Sequence, residues 1–184
     1  KRQIYNKYLQ QISSTRSIVR EELAKGNRLF IAGIREMSPN KKYYPDANST
    51  MRATYGNVGD YRPGEAMHYQ YYTTINGIME KEDPTNEEFH VPKKLKELYE
   101  IGNYGKYADE NGNLRVNFIS NNDITGGNSG SPVINAWGEI VGTAFDGNWE
   151  AMSGDIAFEK EIQRTISVDI RYIMFIIDKF AGAN

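Results

Sequence analysis

The chain has 184 residues, 39% of them hydrophobic and 12% aromatic, with 13 tyrosines, which suits a folded, β-rich globular protein and argues against a disordered tail. Its net charge of -2, with no basic run and no interleaving of basic and aromatic residues, argues against nucleic acid as a partner. The absence of cysteine excludes disulfides, zinc–cysteine sites and a thiol nucleophile without fixing a compartment, and no apolar run approaches the ~18 residues of a membrane span.

The sequence opens at Lys1 inside a helical pattern, with neither an initiator methionine nor a signal peptide, and is expected to be a piece of a longer protein. Ile4, Tyr8 and Ile12 recur at spacing four, Val19 and Leu23 continue the stripe, and Leu29, Phe30, Gly33, Ile34 and Met37 repeat it after Gly26. This predicts helix over residues 1 to 37, as one rod through Gly26 or as two helices meeting there, packing its apolar side on a neighbour. Ser38-Pro39-Asn40 ends it, and residues 43–48 read as a turn-rich connection, so a domain boundary is expected between 38 and 48. The resulting division is 1–40 and 41–184.

Beyond the boundary the texture changes to strands, expected at residues 51–56 and in the aromatic, β-branched run 66–74. Residues 80–84 read as a solvated charged loop. A short helix is expected from Val91-Pro92 to Ile101, with Leu95, Leu98 and Tyr99 on one side, followed by a loop at 102–112. Further strands are expected at 113–120, 131–135 and 138–145, the last two joined by a tight Ala136-Trp137-Gly138 turn whose tryptophan stands partly exposed. Residues 155–168 mix loop and strand. A C-terminal helix over 168–181 carries Ile170, Ile173, Met174, Ile177 and Phe180 on its apolar side. The order of elements after residue 48 is the pattern of a small β-barrel closed by a C-terminal helix.

Chemistry concentrates in Asp123-Ile124-Thr125-Gly126-Gly127-Asn128-Ser129-Gly130-Ser131-Pro132. Glycines on both sides expose the Ser129 hydroxyl and let successive N–H groups point into one concavity, the geometry of a nucleophile beside an oxyanion hole. The plain alternative is a hairpin loop with a capping serine. Gly127-Asn128-Ser129-Gly130-Ser131-Pro132 resembles the G-D-S-G-G-P string of chymotrypsin-like serine peptidases, and Ile140-Val141-Gly142 resembles the strand leading to their specificity pocket. By that match Ser129 is the nucleophile, and the N–H groups of Gly127 and Ser129 form the oxyanion hole. A general base is harder to find. Of the two histidines, His68 sits among tyrosines and reads as packed, and His90 in a charged loop reads as a surface residue. Neither has the context of a catalytic base, so the histidine and aspartate of a triad are expected outside this chain, and the chain alone is expected to be inactive.

A closer resemblance runs through Thr125 to Asn135, then Phe145-Asp146-Gly147-Asn148-Trp149-Glu150, then Val168-Asp169-Ile170-Arg171-Tyr172, with Tyr43 to Arg52 and Tyr71-Tyr72-Thr73-Thr74 fitting as well. These resemble the C-terminal part of the bacterial dipeptidyl-peptidases of types 7 and 11, serine peptidase family forty-six, over nearly the whole chain. The resemblance implies a mainly β chymotrypsin-like second barrel with a C-terminal helix, preceded by the end of an inserted helical domain. It also implies cleavage of dipeptides from free N-termini, a homodimer, a periplasmic or secreted location, and no cofactor. Under it Asp146 anchors the substrate's α-ammonium, two residues or about 7 Å from the scissile bond at ~3.3–3.6 Å per residue, by charge-assisted hydrogen bonds. The alternative for Asp146 is a turn residue in an Asp-Gly step. Gly147 lies in the pocket for P1, the residue before the scissile bond, and Phe145 joins the substrate-binding group. An arginine at position 147 resembles the acidic-specific members, whereas glycine implies a preference for hydrophobic or aliphatic P1 residues.

Two other readings stand beside this one: a glutamyl-type endopeptidase, which has no use for Asp146, and a non-catalytic binding module. Trp149 is expected to pack near the pocket wall. Asp123 steadies the serine loop or caps a turn, and Asp169 with Arg171 is a structural pair at the start of the last helix.

Overall fold

A computed structural model describes residues 2–41, 43, 48–154 and 157–183. The chain divides into two compact units, Lys1–Pro45 and Asp46–Asn184. In the first unit α1 (Arg2–Met37) is one uninterrupted helix. Gly26 does not break it, because a lone glycine costs a helix only about 1 kcal/mol relative to alanine. Of the apolar face expected for this helix, Ile4, Tyr8, Val19, Leu23, Leu29, Phe30 and Met37 are exposed and Ile34 is half-buried, while the side chain of Ile12 lies outside the described residues. The connection expected at 43–48 falls mostly on residues 44–47, also outside them.

The second unit mixes helix with antiparallel sheet. In chain order it contains β1 (Tyr72–Thr74), α2 (Ile75–Glu80), α3 (Lys93–Ile101), β2 (Arg115–Ser120), β3 (Pro132–Ile134), β4 (Ile140–Gly147), β5 (Thr165–Asp169) and α4 (Ile170–Phe175), the last continuing as a π-helical turn, Ile176–Phe180. The strands form one sheet in the order β1-β2-β5-β4-β3, with every neighbouring pair antiparallel. Among the described residues β1 and β3 are its edges, with no ladder joining them.

The short helices pack against the sheet. Ile75 of α2, Leu95 of α3, Leu114 and Val116 at β2, and Phe175 of α4 meet Val91, Tyr104 and Tyr107 in the main core. Phe175 is fully buried, edge-on to Tyr104 and Tyr107 at centroid distances of 5.8 and 6.3 Å, and burial of a side chain this size contributes about 1.5–3 kcal/mol. α3 ends at Gly102, whose φ of 65° gives the left-handed cap that glycine favours.

Three expectations need correction. Residues 51–56 form no strand, and the expected strand 66–74 is a strand only from Tyr72. Upstream of it Tyr61 and Tyr69 make an isolated antiparallel bridge around the Pro63-Gly64 reversal, and the Tyr71 N–H is taken by the Asp60 carboxylate at 2.7 Å. A β-prone run becomes a strand only where a partner supplies a ladder of hydrogen bonds, and here Tyr69 pairs with Tyr61 alone while the Tyr71 N–H goes to a side chain. Helix α2 was not anticipated. The C-terminal helix starts at Ile170, not 168: Val168 and Asp169 are strand, and the Asp169 carboxylate caps the helix by accepting the Arg171 N–H at 2.9 Å. The strand β5 so formed is the middle of the sheet.

One glycine holds the sheet together by lacking a side chain. A Cβ on Gly142 of β4 would stand 2.4 Å from the Val168 carbonyl oxygen and 2.7 Å from the Phe118 ring. Gly142→Ala is therefore expected to destabilise the sheet by roughly 1–3 kcal/mol, measured as faster hydrogen exchange of β2, β4 and β5 amides in the full-length protein.

Candidate active site

The serine loop lies between β2 and β3 and folds on its own backbone. Asn128 organises it: its side-chain oxygen accepts the Thr125 N–H at 3.2 Å, its N–H donates to the Thr125 carbonyl at 3.2 Å, and its carbonyl accepts the Ser131 N–H at 2.9 Å. Arg52 donates to the same side-chain oxygen at 3.5 Å. Gly127 and Gly130 have φ of 97° and 85°, conformations in which a side chain is strained, so the positions two before and one after Ser129 favour glycine for the turn to close. Ser129 stands between them, exposed. The N–H groups of Gly127 and Ser129 donate to no described residue, whereas that of Gly130 is tied to the Ala144 carbonyl at 2.8 Å.

The loop docks on β4. The Gly130–Ala144 bond and its return partner, Ala144 N–H to the Ser131 carbonyl at 3.0 Å, hold Ser129 above the point where β4 becomes irregular. The register of β4 against β5 shifts between Ala144 and Asp146, so Phe145 is an extra residue with no partner on β5. Its carbonyl accepts the Ser129 hydroxyl at 3.3 Å. Asp146 follows, exposed, with Oδ1 accepting the Gly147 N–H at 2.8 Å. Ser129, Phe145, Asp146 and Gly147 are thus brought side by side, and the Gly127 and Ser129 N–H groups stand on the same loop.

The histidines stay apart from this group. His90 is exposed and ends a 3-10 turn (Glu87–Phe89). His68 is not packed among tyrosines as expected: its side chain is 46% exposed, and Nε2 lies 2.8 Å from the Asp60 carboxylate, whose other oxygen accepts the Tyr71 N–H. The sequence signal for this pair was the Pro63-Gly64 turn between them, which folds residue 60 back towards 68. Beside it Tyr61 stacks on Tyr69 with centroids 5.0 Å apart and donates to Glu150 at 3.2 Å. Burial, with the Glu150 carboxylate adding to it, pushes the Tyr61 hydroxyl up. The Arg164 guanidinium lies 5.3 Å from the Tyr61 ring centre, and burial pulls it down.

Trp149 does not pack against a pocket wall but is 83% exposed, and Trp137, at 84%, projects from its hairpin as expected. Asp169 and Arg171 form a bidentate ion pair at 2.6 and 2.9 Å, and this hydrogen bonding to Asp169 holds the Arg171 guanidinium above its ordinary value. A groove of about 1280 Å³ runs past Gly127, Asn128, Ser131, Val141 and Ile170, but none of Ser129, Phe145, Asp146 or Gly147 lines it. Among the described residues no group of three or more histidine, aspartate or glutamate side chains is placed to hold a metal ion, and no helix is long and apolar enough to cross a membrane.

The chain resembles known peptidases over most of its length. It is 58% identical over 158 residues to dipeptidyl-peptidase 7 of Phocaeicola vulgatus, covering 86% of this chain and 22% of that protein. It is 53% identical over 175 residues to dipeptidyl-peptidase 7 of Porphyromonas gingivalis, covering 92% and 24%. An Asp/Glu-specific dipeptidyl-peptidase of Porphyromonas endodontalis is 50% identical over 162 residues, covering 88% and 23%. The crystal structure of Porphyromonas endodontalis DPP11 in complex with the dipeptide Arg-Glu superposes with a TM-score of 0.79 at 49% identity, over 87% of this chain and 23% of that one. The chain therefore spans under a quarter of the length of these relatives. Residues 2–184 match the family Peptidase S46, and the chain belongs to that family.

Proposed function

We propose that this chain carries the nucleophile half of a serine dipeptidyl-peptidase that releases dipeptides from free peptide N-termini. The supporting observation is the placement of an exposed serine, flanked by left-handed glycines, on the carbonyl of the residue next to Asp146. In the full-length protein the Ser129 hydroxyl attacks the carbonyl carbon of the second substrate residue. Its proton passes to a histidine contributed by another part of the polypeptide, since the Ser129 hydroxyl donates to the Phe145 carbonyl, while the side-chain partner of His68 is Asp60 and His90 ends an exposed turn. The N–H groups of Gly127 and Ser129 receive the oxyanion. The histidine returns the proton to the departing amine, leaving the dipeptide as an ester on Ser129, and water then hydrolyses that ester.

Asp146 holds the substrate ammonium, which sets the distance from the N-terminus to the cut. The five-stranded sheet is read as part of the second barrel of a chymotrypsin-like pair, and α1 as the end of an inserted helical domain. The homodimer and the periplasmic or secreted location that go with the family resemblance belong to the same proposal.

Glycine at position 147 presents no charge to the P1 side chain, which favours hydrophobic or aliphatic P1 residues. An acidic preference is the second reading, supported by the Asp/Glu-specific relatives and by DPP11 complexes with Arg-Glu and Arg-Asp. Dipeptide reporters with Met, Leu, Phe, Asp or Glu at P1, each with a free and a blocked N-terminus, separate the possibilities in the full-length enzyme. The expected result is faster cleavage after Met, Leu or Phe, and at least about tenfold loss on blocking. Faster cleavage after Asp or Glu establishes the second reading, and indifference to blocking establishes an endopeptidase.

A further inference from the structure

We propose that Ala151 is a specificity-determining residue that acts together with Gly147: its Cβ occupies the space a side chain at position 147 needs first. A Cβ built on Gly147 lies 2.9 Å from the Ala151 Cβ, a separation that real side chains do not adopt. The φ of Gly147 is not in the left-handed region, so the obstacle to a side chain there is the neighbour and not the backbone. The inference rests on the reading that position 147 lines the P1 pocket.

Ala151 cannot simply move aside. It lies on the 3-10 turn Trp149–Ser153, which is pinned at both ends. On one side the Asn148 amide donates to Glu150 at 2.7 Å and to the Ile162 carbonyl at 2.8 Å, while its oxygen accepts the Arg164 N–H at 2.8 Å. On the other side the buried Gln163 donates to the Ser153 hydroxyl at 3.0 Å and to the Ala157 carbonyl at 3.1 Å. The Ala151 N–H and carbonyl are themselves used, by the Asn148 carbonyl and the Gly154 N–H. Moving Ala151 by the ångström or so that a new Cβ demands strains this network, and interiors pass such strain on instead of absorbing it. A change of P1 chemistry through position 147, such as placing a guanidinium there for an acidic substrate, therefore requires a concerted change at 151. Residue 151 need not touch the substrate; it decides whether 147 can.

Five variants of the full-length enzyme test this: Gly147→Ala, Ala151→Gly, the double Gly147→Ala/Ala151→Gly, Gly147→Arg, and Gly147→Arg/Ala151→Gly. Hydrogen exchange of the amides of Asn148, Ala151 and Arg164 is expected to quicken about tenfold in Gly147→Ala and to return to within about twofold of wild type in the double variant. On Glu reporters, Gly147→Arg/Ala151→Gly is expected to cleave at least about tenfold faster than Gly147→Arg alone. Unchanged exchange in Gly147→Ala, or no recovery in the double variant, overturns the steric coupling. Recovery of exchange with equal Glu cleavage by the two arginine variants overturns the specificity role. A wild-type enzyme that releases no dipeptides overturns the reading of position 147 as a P1 residue and the specificity role with it, and the exchange data show separately whether the coupling exists.

Discussion

Ser129→Ala in the full-length enzyme is expected to lower dipeptide release by at least about 10⁴-fold while leaving the fold unchanged. On the proposed mechanism the loss is large because the hydroxyl oxygen is the bond-forming atom, and the other serine of the motif does not replace it: Ser131 lies where the backbone turns into β3, its N–H bound to Asn128 and its carbonyl to Ala144. The fold should be indifferent because Ser129 is exposed and its hydroxyl makes one long contact, 3.3 Å to the Phe145 carbonyl. The turn itself is held by Asn128, Gly127 and Gly130, which the substitution does not touch. Reporter kinetics measure the effect. Labelling by a fluorophosphonate, located on Ser129 by mass spectrometry, ties it to the nucleophile. Activity within about tenfold of wild type would remove Ser129 from the mechanism.

The second large effect is expected at Asp146. On the proposed reading, replacing it by alanine leaves the substrate ammonium without its carboxylate, and losing one partner of such a charged pair costs about 2–4 kcal/mol, or roughly 30- to 1000-fold in kcat/KM. Asp146→Asn discriminates between the two roles open to this residue. Oδ1 accepts the Gly147 N–H at 2.8 Å, and an asparagine oxygen can keep that bond, so a purely structural role predicts near-wild-type activity in the Asn variant. An ammonium anchor predicts that Asn loses most of what Ala loses, because the charge has gone. Measuring kcat/KM on free and N-blocked peptides completes the comparison: the penalty should appear on free N-termini and vanish on blocked ones.

Local features were legible before the structure. The serine turn could be read because glycines at 127 and 130 encode backbone conformations that nearby residues do not need to supply. Helix α3 and strands β2, β3 and β4 followed from apolar periodicity, with ends off by two residues or so. Errors came wherever a distant partner decided the outcome. Residues 66–71 look like strand, but Asp60 takes the N–H of Tyr71. Val168 and Asp169 look like the first turn of a helix, yet they pair with Thr143 and Gly142 in the middle of the sheet. His68 looked packed because its sequence neighbours are aromatic, and it is instead half exposed on a carboxylate eight residues upstream.

The same division runs through the site. By itself the sequence determined that one serine would stand on a glycine turn with an Asp-Gly step downstream, because both are short-range patterns of backbone conformation. Only the tertiary structure decided that Ser129 meets the Phe145 carbonyl beside Asp146, since that depends on a one-residue register shift between β4 and β5. The opposition of Gly147 to Ala151 was likewise beyond the sequence, for it requires a turn pinned by Asn148 and Gln163 to residues far along the chain. Contacts of this kind are fixed by the simultaneous closure of many hydrogen bonds, and no stretch of residues carries that information alone.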